Sequence, residues 1–268
     1  MKKMISSLQN PLIKTLLTLQ EKPRERRKQN LLVIEGMREV GQAIGAGLEV
    51  VNLIFCPEIV SPSDETLLLA RLPASCDVVE VTRQVYNRLA YRKDSEGLIV
   101  MAQGKTLTLQ GLTLPDNPLI MILEKVEKPG NLGALLRTAD AAHIDAVILC
   151  DTQTDLYNPN IIRSSLGTVF TNNVVVTTSR EALDWLIQHE ITIFAALVDG
   201  NTWYHQVDYI MPTAIVMGSE ALGLSETWHE QAHWLIKIPM RGKVDSLNVS
   251  ASAAIIVFEA MRQRGFHP

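Results

Sequence analysis

Cysteine is scarce: Cys56, Cys76 and Cys150 are the three thiols among 268 residues. They are too few and too scattered for a disulfide framework or a Cys-rich zinc site, so a reducing, cytoplasmic setting is expected. Long apolar runs are absent as well. No stretch approaches the roughly 18 residues of a membrane-spanning helix, and MKKMISSLQNPL has no apolar segment behind its lysines, which predicts neither a membrane partner nor a signal peptide. Aromatic residues make up only 5%, and an excess of basic residues is missing: the formal net charge of −4 on its face speaks against nucleic acid. What is present is 47% apolar residues over a length that, at roughly 100 to 200 residues per domain, suggests two globular domains.

The total charge conceals an asymmetry. Residues 1–30 hold eight Lys/Arg (Lys2, Lys3, Lys14, Lys22, Arg24, Arg26, Arg27, Lys28) against Glu21 and Glu25, a segment of +6, so the other 238 residues carry −10. A basic stretch on an acidic body can serve as a local electrostatic footprint for phosphate, although taken alone it reads first as a solvated charge run.

Asn10-Pro11 reads as an N-cap followed by proline at the first helical position, and Leu12, Ile13, Leu16 and Leu17 continue with helical spacing until Pro23 breaks the helix. The basic residues are expected at its C-terminal end and in the loop beyond, where cations suit the helix dipole. Strands are expected at 31–36, 50–56, 78–82 and 97–103, with helices at 37–47, 66–72 and 84–91 between them, a small α/β domain over 1–104. Residues 105–117, with few charges and several turn formers, read as a linker. From 118 to 268 the alternation restarts, with strands at 119–126, 146–150, 173–177, 191–198, 214–219 and 234–240. Helices are expected at 131–143, 158–166, 179–190 (capped by Ser179) and 247–265. Continuous apolar strands alternating with helices imply a mostly parallel sheet covered on both faces.

Common phosphate and metal signatures fail. GKT at 104–106 lacks the first glycine of a P-loop, since position 99 is Ile99, and neither half carries G-x-G-x-x-G after its first strand, which weakens a Rossmann dehydrogenase or methyltransferase. HEQAH (229–233) satisfies H-E-x-x-H, with His229 and His233 as zinc ligands, Glu230 as general base and Glu259 as the available third ligand of a metalloprotease. That chemistry needs one helix through both histidines, yet WLIKIP reads as strand directly after His233. Two exposed histidines are the plainer reading, and no metal is expected.

Polar residues collect instead in three segments of the second domain. Pro129-Gly130-Asn131-Leu132-Gly133, followed by Arg137, lies where the first strand turns into a helix that Asn131 could cap, so that Asn131 and Arg137 could face one crevice at the carboxyl end of the sheet. Gly218-Ser219-Glu220-Ala221-Leu222-Gly223 leaves the strand AIVM as a small-residue turn with one carboxylate. Ile238-Pro239-Met240 and Ser246-Leu247-Asn248-Val249-Ser250 bracket a loop that enters the last helix, with Ser246 as candidate cap.

In this order and spacing, N-x-G-x-x-x-R, G-S-E-x-x-G and I-P-M…S-L-N-V-S resemble the three motifs of the SpoU (TrmH-type) RNA ribose 2'-O-methyltransferases of the SPOUT superfamily, over residues 124–254. The basic helix and LLVIEGMREVGQAI are similar to the start of that family's substrate-binding domain. The resemblance implies an α/β fold in which a small α/β/α sandwich, of the kind found in RNA-binding ribosomal proteins, precedes a mostly parallel sheet tied in a deep trefoil knot. It implies S-adenosyl-L-methionine in a pocket formed by loops 198–200, 218–223 and 238–247, held at Gly218, Ile238 and Leu247 and also at Leu197, Val216 and Met240. It further implies a homodimer through the C-terminal domain, and methyl transfer to a ribose 2'-hydroxyl of ribosomal (23S-type) RNA in preference to transfer RNA.

Within that reading Arg137 clamps the phosphate beside the target ribose, with direct proton acceptance as the bolder version, because a guanidinium stays protonated in proteins. Asn131 orients Arg137 or the ribose, while Glu220, Ser246 and Asn248 hold motifs and cofactor in register. On the RNA side, Lys14, Lys22, Arg24, Arg26, Arg27 and Lys28 are expected to follow the backbone, and Tyr86, Tyr91, Arg92 and Lys93 to add stacking and basic groups. An RNA-binding relative without catalysis is the alternative from another class.

Overall fold

The structure is a computed structural model that describes residues 3–91 and 96–266, so Lys2, Arg92 and Lys93 lie outside the described residues. Along the first part of the chain run β1 (Lys3–Ile5), α1 (Pro11–Glu21), α2 (Pro23–Gln29), β2 (Leu31–Glu35), α3 (Met37–Gly45), β3 (Val50–Phe55), α4 (Pro62–Leu69), β4 (Asp77–Val81), α5 (Arg83–Leu89) and β5 (Leu98–Gln103). Helices α1, α2 and α4 begin on proline, whose missing N–H would be unpaired in a first turn anyway. The Asn10 and Ser61 side chains cap α1 and α4 by accepting the N–H groups of Leu12 and Asp64. Pro23 therefore ends one helix by starting another, and the basic residues occupy α2 rather than a loop, with Asn30 in the left-handed conformation closing it.

These strands form a sheet in the order β1-β4-β3-β5-β2, parallel from β1 to β3 and antiparallel across β3, β5 and β2. Because side chains alternate across a strand, Val33, Ile54, Val79, Val81, Ile99 and Met101 share one face and pack on Ile13, Leu16 and Leu19 of α1 and Val85, Tyr86 and Leu89 of α5. The intervening Leu32, Ile34, Leu53, Phe55, Leu98 and Val100 are buried as well, so both faces of this sheet are covered.

The chain continues through a 3-10 turn (Leu109–Gly111), β6 (Leu119–Glu124), α6 (Pro129–Ala141), β7 (Ala146–Cys150), α7 (Pro159–Ser164), α8 (Thr168–Thr171), β8 (Val174–Thr177), α9 (Ser179–Gln188), β9 (Thr192–Ala196) and β10 (Thr202–Trp203). A second 3-10 turn (Tyr204–Gln206), β11 (Thr213–Met217), α10 (Glu226–Gln231), β12 (Trp234–Lys237) and α11 (Val249–Gln263) complete it. The second sheet has the order β10-β12-β9-β11-β6-β7-β8, and every pairing in it is parallel. Its seventh strand, β10, is only two residues long and has no pattern a sequence reading could detect. Ile120, Ile122, Ile148, Ile193, Ala214 and Val216 point to the face covered by Leu183 and Leu186 of α9 and Trp228 of α10. On the opposite face α6 packs beside α11. Residues 107–114 are no free linker, since Leu109 is buried in this core and Leu107, Leu112 and Leu114 pack against it.

The chain divides into two compact units, Met1–Lys105 with Asp155–Thr171, and Thr106–Thr154 with Asn172–Pro268. No helix of the described residues is long and apolar enough to cross a membrane. The first unit thus includes α7 and α8, and Arg26 on α2 ties the segment that leads into α7 to it. Arg26 is buried, its Nε donates to Asp155 Oδ2 at 2.5 Å, and its Nη1 donates to the carbonyls of Leu19 and Gln20. A guanidinium so enclosed cannot follow an RNA backbone, which corrects its assignment as an RNA contact. Tyr86 is corrected likewise, since it is fully buried under α1.

Removing one partner of a buried ion pair strands the other charge, so Arg26→Ala is expected to destabilise folding by about 3–5 kcal/mol. Arg27→Ala, on the exposed side of the same helix, should stay within about 0.5 kcal/mol. Urea denaturation of both variants checks the difference.

Candidate active site

All strands of the second sheet are parallel, so their carboxyl ends lie along one edge, where ligand crevices of open α/β sheets form. The loops leaving β6, β9, β11 and β12 meet there, and a buried carboxylate organises them. Glu124, the last residue of β6, accepts the Ser179 hydroxyl at 2.8 Å, the Ser225 hydroxyl at 2.6 Å and the Ser225 N–H at 2.7 Å. Ser179 is therefore unavailable as a cap, and Thr178 caps α9 instead, in a capping box with Glu181. Ser225 marks the end of the turn 218–223, so Glu124 fixes that turn from below.

The turn itself is tight. The Gly223 N–H donates to the Ser219 carbonyl at 2.9 Å, the Leu222 N–H donates to Ser219 Oγ at 3.1 Å, and Gly223 is left-handed at φ +66°. A Cβ on Gly218 would lie 2.3 Å from the backbone carbon of Gly223, and one on Gly200 would lie 2.7 Å from the Ile236 carbonyl oxygen. Glycine is required at both places because backbone passes against backbone.

These loops enclose a cavity of about 340 Å³ lined by Leu197, Val198, Asp199, Met217, Gly218, Leu222, Ile238, Met240, Asp245, Ser246 and Leu247 among others. Val198, Leu222 and Leu247 form an exposed apolar rim. Gly218, Ile238, Leu247, Leu197 and Met240 are thus brought together as expected, but Val216 is not. It faces the core with Ile120 and Ala214, and by strand alternation its neighbour Met217 reaches the cavity.

A second cavity of about 190 Å³ shares Ser219, Glu220, Leu222 and Val249 with the first and adds Lys125, Lys128 and Asn131. Between the two cavities, side chains of the three motifs join. Asn248 Nδ2 donates to Glu220 Oε1 at 2.6 Å and to Asn131 Oδ1 at 3.2 Å, while Lys128 Nζ donates to Glu220 Oε2 at 2.5 Å. The Lys128 ammonium, aided by Asn131, holds the Glu220 carboxyl below the usual carboxylate range. Asn248 does a second job: its Oδ1 accepts the Ser250 N–H at 3.0 Å and caps α11, so Ser246 is not the cap. Asn131 is not a cap either, because Pro129 starts α6 and places Asn131 inside its first turn.

Arg137 lines neither cavity. Six residues beyond Asn131 it points roughly 120° around the helix from it, is exposed, and its side chain makes no hydrogen bond or ion pair among the described residues. The HEQAH segment does not carry two histidines on one helix: α10 ends at Gln231, and His233 Nδ1 accepts the Ile193 N–H at 3.1 Å. His229 lines the larger cavity. Among the described residues no three His, Cys, Asp or Glu side chains gather to hold a metal ion. Burial pushes the Cys150 thiol well up, so it is no nucleophile. On the first unit Lys14, Lys22, Arg24, Arg27 and Lys28 are exposed, and Tyr91 is 49% exposed.

Comparison with known proteins agrees with this geometry. The SpoU rRNA Methylase family matches residues 118–258, and an MRM3-like substrate binding domain matches residues 10–100. The 23S rRNA (guanosine-2'-O-)-methyltransferase RlmB of Pseudomonas syringae pv. tomato is 36% identical over 148 residues, 55% of this chain and 59% of that protein, so the chain spans less than two thirds of that relative. A crystal structure of an RNA 2'-O ribose methyltransferase is 38% identical with a TM-score of 0.84, covering 97% of this chain and 99% of its own. The AdoMet-bound rRNA methyltransferase of Sinorhizobium meliloti is 27% identical with a TM-score of 0.89, covering 97% of both chains.

Glu124 was not singled out from the sequence, where it is only the charged end of an apolar run. Glu124→Ala would leave two hydroxyls and one N–H without their acceptor, and is expected to cost about 2–5 kcal/mol. Glu124→Gln, which keeps an acceptor oxygen, should cost less. Chemical denaturation ranks the two.

Proposed function

Because the chain belongs to the SpoU rRNA methylase family, we propose that it is an S-adenosylmethionine-dependent RNA methyltransferase that modifies a ribose 2'-hydroxyl of ribosomal RNA. The observation that carries this reading is the junction of all three motifs through Asn131, Glu220 and Asn248, beside a cavity walled by Gly218, Ile238 and Leu247. The cavity suits the cofactor. Its volume is in the range of small-molecule sites, its rim is apolar as an adenine requires, Asp199 and Asp245 add negative charge for a sulfonium or amino group, and Gly218 leaves no Cβ in the turn that shapes it. When bound, S-adenosylmethionine supplies an electrophilic methyl group.

The remaining work falls to the chain. Asn131, fixed by Asn248, presents its amide at the second cavity, where a ribose would be oriented. Arg137 has no counter-charge among the described residues, so a phosphate next to the target ribose is its natural partner, and the clamp lowers the cost of charge developing on the 2'-oxygen. A homodimer through the second unit belongs to this reading. Its support is an exposed apolar stripe on α11, with Ile255 at 36% and Phe258 at 43%. So does the deep trefoil knot, which fits the convergence of the loops after β9, β11 and β12 on one cavity. Division of labour follows the matched families, with RNA capture in 1–104 and methyl transfer in 118–268. Three unbridged cysteines accord with a cytoplasmic setting.

Arg137→Ala should lower methyl transfer to 23S-type ribosomal RNA by about 10²–10³-fold while calorimetry shows unchanged S-adenosylmethionine affinity. Near-normal turnover would overturn the role of Arg137, and cofactor binding without transfer by the wild type would favour a binding-only relative. Deleting residues 1–30 would remove the core side chains Ile13, Leu16 and Leu19, so the charge test uses substitutions. Changing Lys14, Lys22, Arg24, Arg27 and Lys28 to Gln should weaken RNA binding and flatten its salt dependence by about 0.7–0.9 in log–log slope per lost contact.

A further inference from the structure

Within the first unit, an exposed aromatic side chain is held in place by groups from three segments. The Tyr91 hydroxyl donates to Asn160 Oδ1 at 2.8 Å, the Tyr91 N–H donates to Glu35 Oε2 at 2.7 Å, and the Arg163 guanidinium lies over the ring, 5.2 Å from its centroid. Arg163 is exposed and Tyr91 is 49% exposed, so the stack is not a core contact. Ile162, the residue before Arg163, is buried and anchors α7. The ring is oriented in advance, and an additional flat group could stack on it or on the guanidinium at little entropic cost.

The segment that borders the stack is net basic, with Glu21 and Glu25 among its more numerous cations. Gln20 lines the same small hollow as Tyr91 and Arg163, its Nε2 donates to the Leu89 carbonyl, and its own carbonyl accepts from Arg26. The end of α1 and the start of α2 therefore border the stack. From α2 the exposed Arg24, Arg27 and Lys28 project, and Arg88 is exposed in the last turn of α5. Glu35 is the acid at the hollow, and it is engaged by the Tyr91 N–H.

We propose that Tyr91 and Arg163 form a stacking platform for an unpaired RNA base, flanked by the phosphate-binding cations of α2. This deepens the RNA reading above and rests on it. Flat bases stack on aromatic rings and on guanidinium planes, and sequence-tolerant binding of single strands combines such platforms with a basic track. The proposal also gives 155–171 a purpose: a segment from the sequence span of the methyltransferase family packs with the first unit and brings an arginine to its surface.

The test measures anisotropy of a labelled oligo(A) RNA of about a dozen nucleotides and of an abasic strand of equal length, on the full chain, from about 50 to 200 mM salt. Wild type should bind oligo(A) about 5- to 50-fold more tightly than the abasic strand. Tyr91→Ala and Arg163→Ala should close that gap, Tyr91→Phe should keep it, and Arg27→Gln should weaken both strands while preserving it. Urea denaturation followed by circular dichroism reports whether the first unit of each variant remains folded. A gap unchanged in Tyr91→Ala and Arg163→Ala, or no gap in the wild type, overturns the platform. Loss of methyl transfer by a wild type that keeps the gap would count against the enzymatic reading alone.

Discussion

A carboxylate that must not be left alone governs the loop edge of the larger sheet. Burying a carboxyl group costs several kcal/mol unless hydrogen-bond partners surround it, and at Glu124 those partners come from Ser179 and Ser225, 55 and 101 residues further along the chain. The cost becomes a constraint: the start of α9, the exit of the turn 218–223 and the end of the central strand have one arrangement that satisfies all three groups. An apolar residue in place of Glu124 would bury more cheaply but would not set the position of Ser225, and with it the turn that forms a wall of both cavities.

Asn248 imposes the second constraint. Its amide is divided, with Oδ1 spent on the cap of α11 and Nδ2 spent on Glu220 and Asn131. The helix cannot start elsewhere without releasing the other two motifs, so the entry of α11 and the polar cluster are one structural decision. Pre-organised polar groups of this kind lose little when a ligand arrives, since they are already ordered.

Six of the seven strands of the second sheet were legible in the sequence, since runs such as LIMILE, AVILC and TAIVM are the uninterrupted apolar stretches that a parallel sheet covered on both faces demands. The three motifs were legible because their residue types recur together in one family. Caps were harder. Ser179 and Thr178 are both competent, as are Ser246 and Asn248, and the choice depends on which oxygen is needed elsewhere. The Val216 side chain turns to the core and that of Met217 to the cavity, since along a strand one residue is the whole difference between the two faces. Arg26 looked like its basic neighbours, and only Asp155, 129 residues away, turns it inward. Long-range pairings of this sort leave no local trace.

The cations divide by whether a partner already holds them. Arg26 is neutralised inside the first unit, and Lys128 is engaged by Glu220. Arg137, in contrast, is exposed and its side chain has no partner among the described residues. The sequence total of −4 hides this sorting, because it adds charges that are already spent to charges held in reserve. Only the second kind is open to a ligand's phosphate, and the exposed Arg24, Arg27 and Lys28 of α2 and the exposed Arg137 of α6 are among them.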